Sequence, residues 1–235
     1  MAAETQVLID NEKKYIVKFF SDAAESDVKK VDISTLTWAK HTITLSGAAS
    51  PNFKIGEVLT VGAEKYLVTG FTAGASTVEV VGWDNTNKKA TAIDASSSSS
   101  DAVSGGVSGS NTRTYSSIAE QDYNVLVTKI MWITNGLQVR IEWDGSDAEK
   151  HIAELAGNGS WSMPGNEWPG IGINATGDSG AVLGDIQFNT TGHGSGDSYT
   201  IIMELKKQAP GYDIPAYEQN NILGYPVDYL LGNFT

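Results

Sequence analysis

The chain has 235 residues, 40% of them hydrophobic and 19% charged, which is enough apolar side chain to bury one large core or two small ones and excludes a disordered polymer. Cysteine is absent, so neither a disulfide framework nor a thiolate metal site is available. The net charge is −12, and residues 117–235 hold five basic against fifteen acidic side chains, a balance that repels phosphate backbones and sets nucleic acid aside as a partner.

The N-terminal stretch "MAAETQVLIDNEKK" has no apolar run behind a basic segment, so neither a secretory signal nor a membrane anchor is expected. No window reaches the roughly eighteen apolar residues of a spanning helix, and a soluble protein is expected. In "KYIVKFF", Tyr15, Val17 and Phe19 share one face of a strand. Residues 37–115 then read as a separate unit, with short strands at "HTITLSG", "GEVLTVG", "EKYLVTGF" and "STVEVVGW" separated by Gly47, Gly56, Gly62, Gly70 and Gly74. Its exit, "DASSSSSDAVSGGVSGSNT" (94–112), has the composition of a flexible linker. A neutral module between two acidic β-rich segments is expected to be a domain inserted into a loop of another.

Beyond the module, "VLVTKIMWIT" and "LQVRIEW" flank Asn135-Gly136, a pair suited to a two-residue type I′ turn, and a hairpin is expected. Trp132 and Trp143 fall in its strands as core residues. "AEKHIAEL" is the one stretch with the look of a helical turn, ended by Gly157. "DIQFNT" (Ile186, Phe188) and "SYTIIMELK" (Tyr199, Ile201, Met203, Leu205) complete the strands.

Three constellations invite a catalytic reading. Gly177-Asp178-Ser179-Gly180 matches the letters around the nucleophile of chymotrypsin-like proteases, and His41 lies upstream. Ala181 follows where a glycine is needed, and His41 opens an alternating strand with Ile43 and Leu45, so turn chemistry is the better account. His193, Ser195 and Asp197 alternate within one segment, whereas a working triad draws its members from separate elements. The acids Asp147, Glu149 and Glu154 read as a solvated face rather than a glycosidase pair. The histidines His41, His151 and His193 are dispersed, so no metal site and no cofactor are expected, and no enzyme.

The stretches "VLIDNEKKYIVKFFSDAAESDVKKVDISTL", "TKIMWITNGLQVRIEWD" and "GDIQFNTTGHGSGDSYTIIMELKK" closely resemble a family of small virion structural proteins of marine tailed bacteriophages, including cyanophages. The likeness spans residues 6–36 and about 124–207, with its motifs in the family's order. Residues 37–115 and everything after Lys207 depart from that pattern. The resemblance implies a protein of the virion that works by binding, most simply a capsid decoration or cement protein. Its partners would be the major capsid protein or other virion proteins, with several copies on the particle. A neck or tail component and a glycan-binding module for host attachment are the alternatives.

The expected fold is all-β. An antiparallel, jelly-roll-like sandwich is built from 1–36 and 116–207, a small barrel-like domain occupies 37–115, and an extended C-terminal arm covers 208–235. Pro210, Pro215 and Pro226 suppress a regular ladder in that arm, yet it is rich in apolar side chains. Tyr212, Tyr217, Tyr225, Tyr229, Leu230 and Phe234 are therefore expected to be buried, across a neighbouring subunit in preference to the chain's own sandwich, while Trp161 and Trp168 of "GNGSWSMPGNEWPGIG" are expected to pack their own loop, with a subunit contact or glycan stacking as the alternatives.

Overall fold

The computed structural model describes residues 3–46, 53, 55–72, 75–93, 102–104, 113–120, 123–145, 150–163, 170–172, 184–208 and 211–212. In chain order, β1 (Glu4–Asp10), β2 (Lys14–Ser21) and β3 (Val28–Val31) precede a 3-10 turn (Ile33–Thr35). There follow β4 (His41–Leu45), β5 (Val58–Val61), β6 (Glu64–Phe71), β7 (Thr77–Asp84), β8 (Lys89–Thr91), β9 (Ala102–Ser104) and β10 (Arg113–Glu120). The remaining strands are β11 (Asn124–Trp143), β12 (Lys150–Ser162), β13 (Ile171–Gly172), β14 (Ile186–Thr191) and β15 (Ser198–Gln208). The protein is all-β, and its strands form two antiparallel sheets in two compact units. One unit is Met1–Ile33 with Tyr123–Gln208, and the other is Ser34–Asp122 with Ala209–Thr235. The division thus falls at 33/34 and 122/123, not at 36/37 and 115/116.

The first unit is a sandwich made by folding one sheet. Its strand order is β1-β2-β15-β11-β14-β3, with β12 and β13 also paired to β11. Because β12 occupies one edge of β11, β15 and β14 share the other, β15 along Asn124–Asn135 and β14 along Gln138–Trp143. Both run antiparallel to β11, so they are two lengths of one line, interrupted by Gly192–Asp197. At the same level Thr134–Leu137 of β11 bulge out opposite Gly157 of β12, with positive φ at Gly136 (76°) and Gly157 (64°). The ladder bends there. Phe19 lies in the Trp132 row and Phe188 opposite Ile141, nine residues apart along β11 or roughly 30 Å of straight strand. Their rings nevertheless meet edge to face at 5.1 Å, so the two halves of the sheet face one another across the core. Alternation supplies that core: Val17, Phe19, Val125, Val127, Val139, Ile141, Ile201 and Met203 are fully buried.

This arrangement corrects two expectations. Asn135-Gly136 does not reverse the chain, and no hairpin joins the flanking runs. They continue as the single strand β11, whose one edge is taken by β15 and β14 and whose other edge is taken by β12, so neither half is left to pair with the other. "AEKHIAEL" is strand rather than helical turn. Between Ile141↔Ala153 and Glu142↔His151 the register slips, so Ile152 is an extra residue, and Ile152 and Leu155 both turn inward at a spacing of three.

The second unit closes on itself. Its order β4-β10-β9-β5-β6-β7 is completed by pairing of β4 with β7, giving an antiparallel ring of six strands, with β8 added to β7. Ile43, Leu45, Leu59, Val61, Tyr66, Val68, Val78, Val80 and Val103 fill it. Val103 comes from within the Ser/Gly tract read as a linker. Residues 102–104 are instead strand β9, bridging β5 and β10, and β10 carries the unit on to Glu120. The other residues of 94–112, apart from these three, lie outside the described residues.

Candidate functional site

The outward face of the β2–β15–β11–β12 portion of the folded sheet carries an apolar patch, set by the same alternation that fills the core. Cross-strand pairing places its side chains in three rows: Phe20–Thr200–Ile133–Asn158, Lys18–Ile202–Met131–Ser160 and Ile16–Glu204–Lys129–Ser162. Ile133 is 64% exposed. Around it Met131, Trp132, Ile202, Thr200, Asn158 and Ser160 line a groove of about 580 Å³. The Trp132 ring, on the opposite face in the row of Phe19 and Ile201, fits against Gly159, where any side chain would overlap it, and its Nε1 donates to Ala156 O at 3.2 Å. The adjoining edge strand β1 is exposed along nearly its whole length, including Val7, Leu8 and Ile9, and its register slips at Leu8. An open edge beside an apolar face is a surface suited to protein contact.

The residues expected at a contact are differently placed. Tyr212 is corrected outright: it is fully buried within its own chain, bridged to Ala39, and Gly211 O accepts the Lys40 N–H at 2.9 Å. A side chain with no exposure offers nothing to a neighbour, and the aromatic content of this short stretch serves the chain's own fold. Trp161 is half-buried on β12 opposite Ile130. Trp168, Tyr217, Tyr225, Tyr229, Leu230 and Phe234 lie outside the described residues, as do Gly177, Asp178, Ser179 and Gly180.

His41 is buried in β4, its Nδ1 at 3.4 Å from Ala39 O. His193 Nε2 donates to Asp22 O at 3.1 Å. The Asp197 carboxylate accepts the Gly194 N–H at 2.6 Å, and its own N–H bonds Gly194 O at 3.2 Å, so Gly194–Asp197 is a closed turn. That turn leads into the sandwich's buried polar latch. Glu25 accepts from Tyr199 Oη at 2.7 Å and pairs with Lys30 Nζ at 2.5 Å, while the Lys30 ammonium lies 5.9 Å from the Phe188 and Tyr199 ring centres. Among the described residues no group of three or more His, Asp or Glu side chains could hold a metal ion. No described helix is long and apolar enough to cross a membrane.

One buried charge was not foreseen. Lys207 extends the inward series Tyr199, Ile201, Met203, Leu205 by one step, and its side chain has no exposure at all. Its ammonium is ion-paired with Asp10. The β1–β2 turn is shaped by Asn11, whose Oδ1 accepts the N–H groups of Lys13 (3.0 Å) and Lys14 (2.9 Å), and Lys13 O accepts the Lys207 N–H at 2.8 Å. Burial pushes the Lys207 amine below the usual lysine range, against the opposing pull of Asp10 and Glu12. Tyr15, paired in register with Asp10, is pushed up to about 12 by burial and then by the Asp10 charge. The signal lay in the phase of "YTIIMELKK": a lysine at the next core position.

No family model and no curated protein matches the chain. Two solved structures overlap it weakly. One combines the manganese lipoxygenase of Gaeumannomyces graminis with part of a zonadhesin of Komagataella pastoris, at 8% identity over 83% of this chain and 78% of that one, with a TM-score of 0.15. The other is infectious bursal disease virus, Gx strain, at 7% identity over 98% and 88%, with a TM-score of 0.14. Overlap at that level bears on neither fold nor function.

Proposed function

We propose that the chain is a structural protein of a tailed-phage virion, most simply a decoration protein that binds the capsid in several copies. The observation that carries the reading is the outward apolar face around Met131, Ile133 and Ile202, beside the open edge of β1. The ordered resemblance of residues 6–36 and about 124–207 to virion proteins supports it. The segment beyond Tyr212 would add contacts to the same partner, and subunit contact rather than chemistry is the work assigned to the molecule.

The test is reconstitution on particles grown without the protein. The wild-type chain should co-sediment with them, and a Met131→Lys/Ile133→Lys chain should lose at least ten-fold in affinity with an unchanged melting curve, because both side chains are outward-facing. Equal binding by the two chains would overturn the role of this face. No binding by the wild type, with selective retention of a glycan on an array, would move the reading to host attachment.

A further inference from the structure

We propose that Lys207 and Asp10 are joined by an intramolecular amide, made by the folded chain itself, between Nζ of the lysine and the side-chain carbonyl carbon of the aspartate. The case rests on placement. The lysine side chain is wholly buried and that of Asp10 is 19% exposed, the lysine nitrogen is already in contact with the Asp10 carboxylate, Lys207 is held by its N–H bond to Lys13 O, and Asp10 is paired in register with Tyr15 at the end of β1. Val125, fully buried, stands opposite Lys207 in β11, and buried Tyr15 stands opposite Asp10 in β2. In such surroundings the separated charges are costly, and transfer of one proton from the ammonium to the carboxylate leaves a neutral amine beside a neutral acid. The lowered proton affinity of the Lys207 amine acts in the same direction.

From that state the reaction is a condensation. The Nζ lone pair attacks the Asp10 carbonyl carbon, the C–N bond forms, and the nitrogen gives up a proton. That proton passes to the departing hydroxyl. The C–O bond breaks and one water leaves, so the balance needs no oxidant, metal or activated co-reactant. Fixed groups of this kind react with effective concentrations of about 10⁵–10⁸ M, which drives an amide that dilute amines and acids do not form. The Lys30–Glu25 pair is the internal contrast, since its ammonium faces two aromatic rings that attract a cation.

The experiment is the intact mass of the purified, fully denatured wild-type chain, followed by tryptic mapping. The expected mass is lower than the sequence requires by one water, with the peptide ending at Lys13 linked to the one that begins at Lys207. Asp10→Ala should have its full sequence mass. A wild-type mass equal to the sequence mass overturns the proposal, as does a water loss mapped to any other pair.

Discussion

Gly136 and Gly157 face each other at the bend of the sandwich, both with positive φ, but only one of them is crowded. A Cβ at Gly136 would overlap the Asp197 carboxylate, whereas one at Gly157 would meet nothing. Gly157→Ala should therefore cost about 1 kcal/mol, the strain of the left-handed backbone alone, and Gly136→Ala about 2–3 kcal/mol, because the Gly194–Asp197 turn must also shift. Urea unfolding of the two variants measures the difference. Tyr15 offers a second residue-level test. Its folded value of about 12 stands above the ordinary 10, so the native state keeps a proton that the unfolded chain gives up, and stability falls as pH rises from 10 to 12. Tyr15→Phe should flatten that alkaline fall by about 2 kcal/mol. At this scale the sequence was uneven to read. The inward series of β2 and β15 could be read from alternation alone, and so could the turn chemistry around Asp197. Lys207 follows the same rule but does not stand out in the sequence, because lysine is a poor core residue unless paired, and its partner lies 197 positions away.

Among the elements, β9 decides how the barrel closes. It brings only three residues, yet it is the bridge between β5 and β10, with Val103 in the core. Val103→Ala should cost the barrel about 1–2 kcal/mol in thermal unfolding, although composition marks the position as linker. Serine and glycine report on average polarity, and a single valine among them supplies the one inward position that a three-residue strand needs. The boundary has a consequence for deletion. Replacing residues 34–122 by a short Gly/Ser connection should leave the sandwich with one cooperative melting transition. Replacing 37–115 leaves most of β10 without β4 and β9, and that chain should aggregate on size exclusion. Strand existence was legible along most of the chain, while pairing was not. Asn135-Gly136 has the same local preference in a hairpin and in a bulge, and only distant β14, β15 and β12 select between them. Ile152 and Leu155 imitate a helix because a bulge changes the local period, and a bulge is set by the partner strand.

On the scale of the whole molecule, the all-β class was plain from the sequence, whereas the outward face of β11 was ambiguous. A strand rich in apolar residues on both sides reads as fully buried, and here its second side is the apolar patch proposed for docking. The sandwich also has an unusual economy of connection. β11 and β12 pass through both layers, and β14 and β15 continue one another along the same edge. Each layer has ladders of its own, β1–β2–β15 in one and β3–β14 in the other, but the two are tied through the same two strands. Slow amide exchange should therefore show a single opening event, with the segments 125–133 and 139–143 sharing one free energy. Phe188→Ala, which removes the ring meeting Phe19, should lower protection in both segments by the same amount. Where one strand is the spine of both layers, opening either half pulls on the other, so the two ends of β11 come apart together.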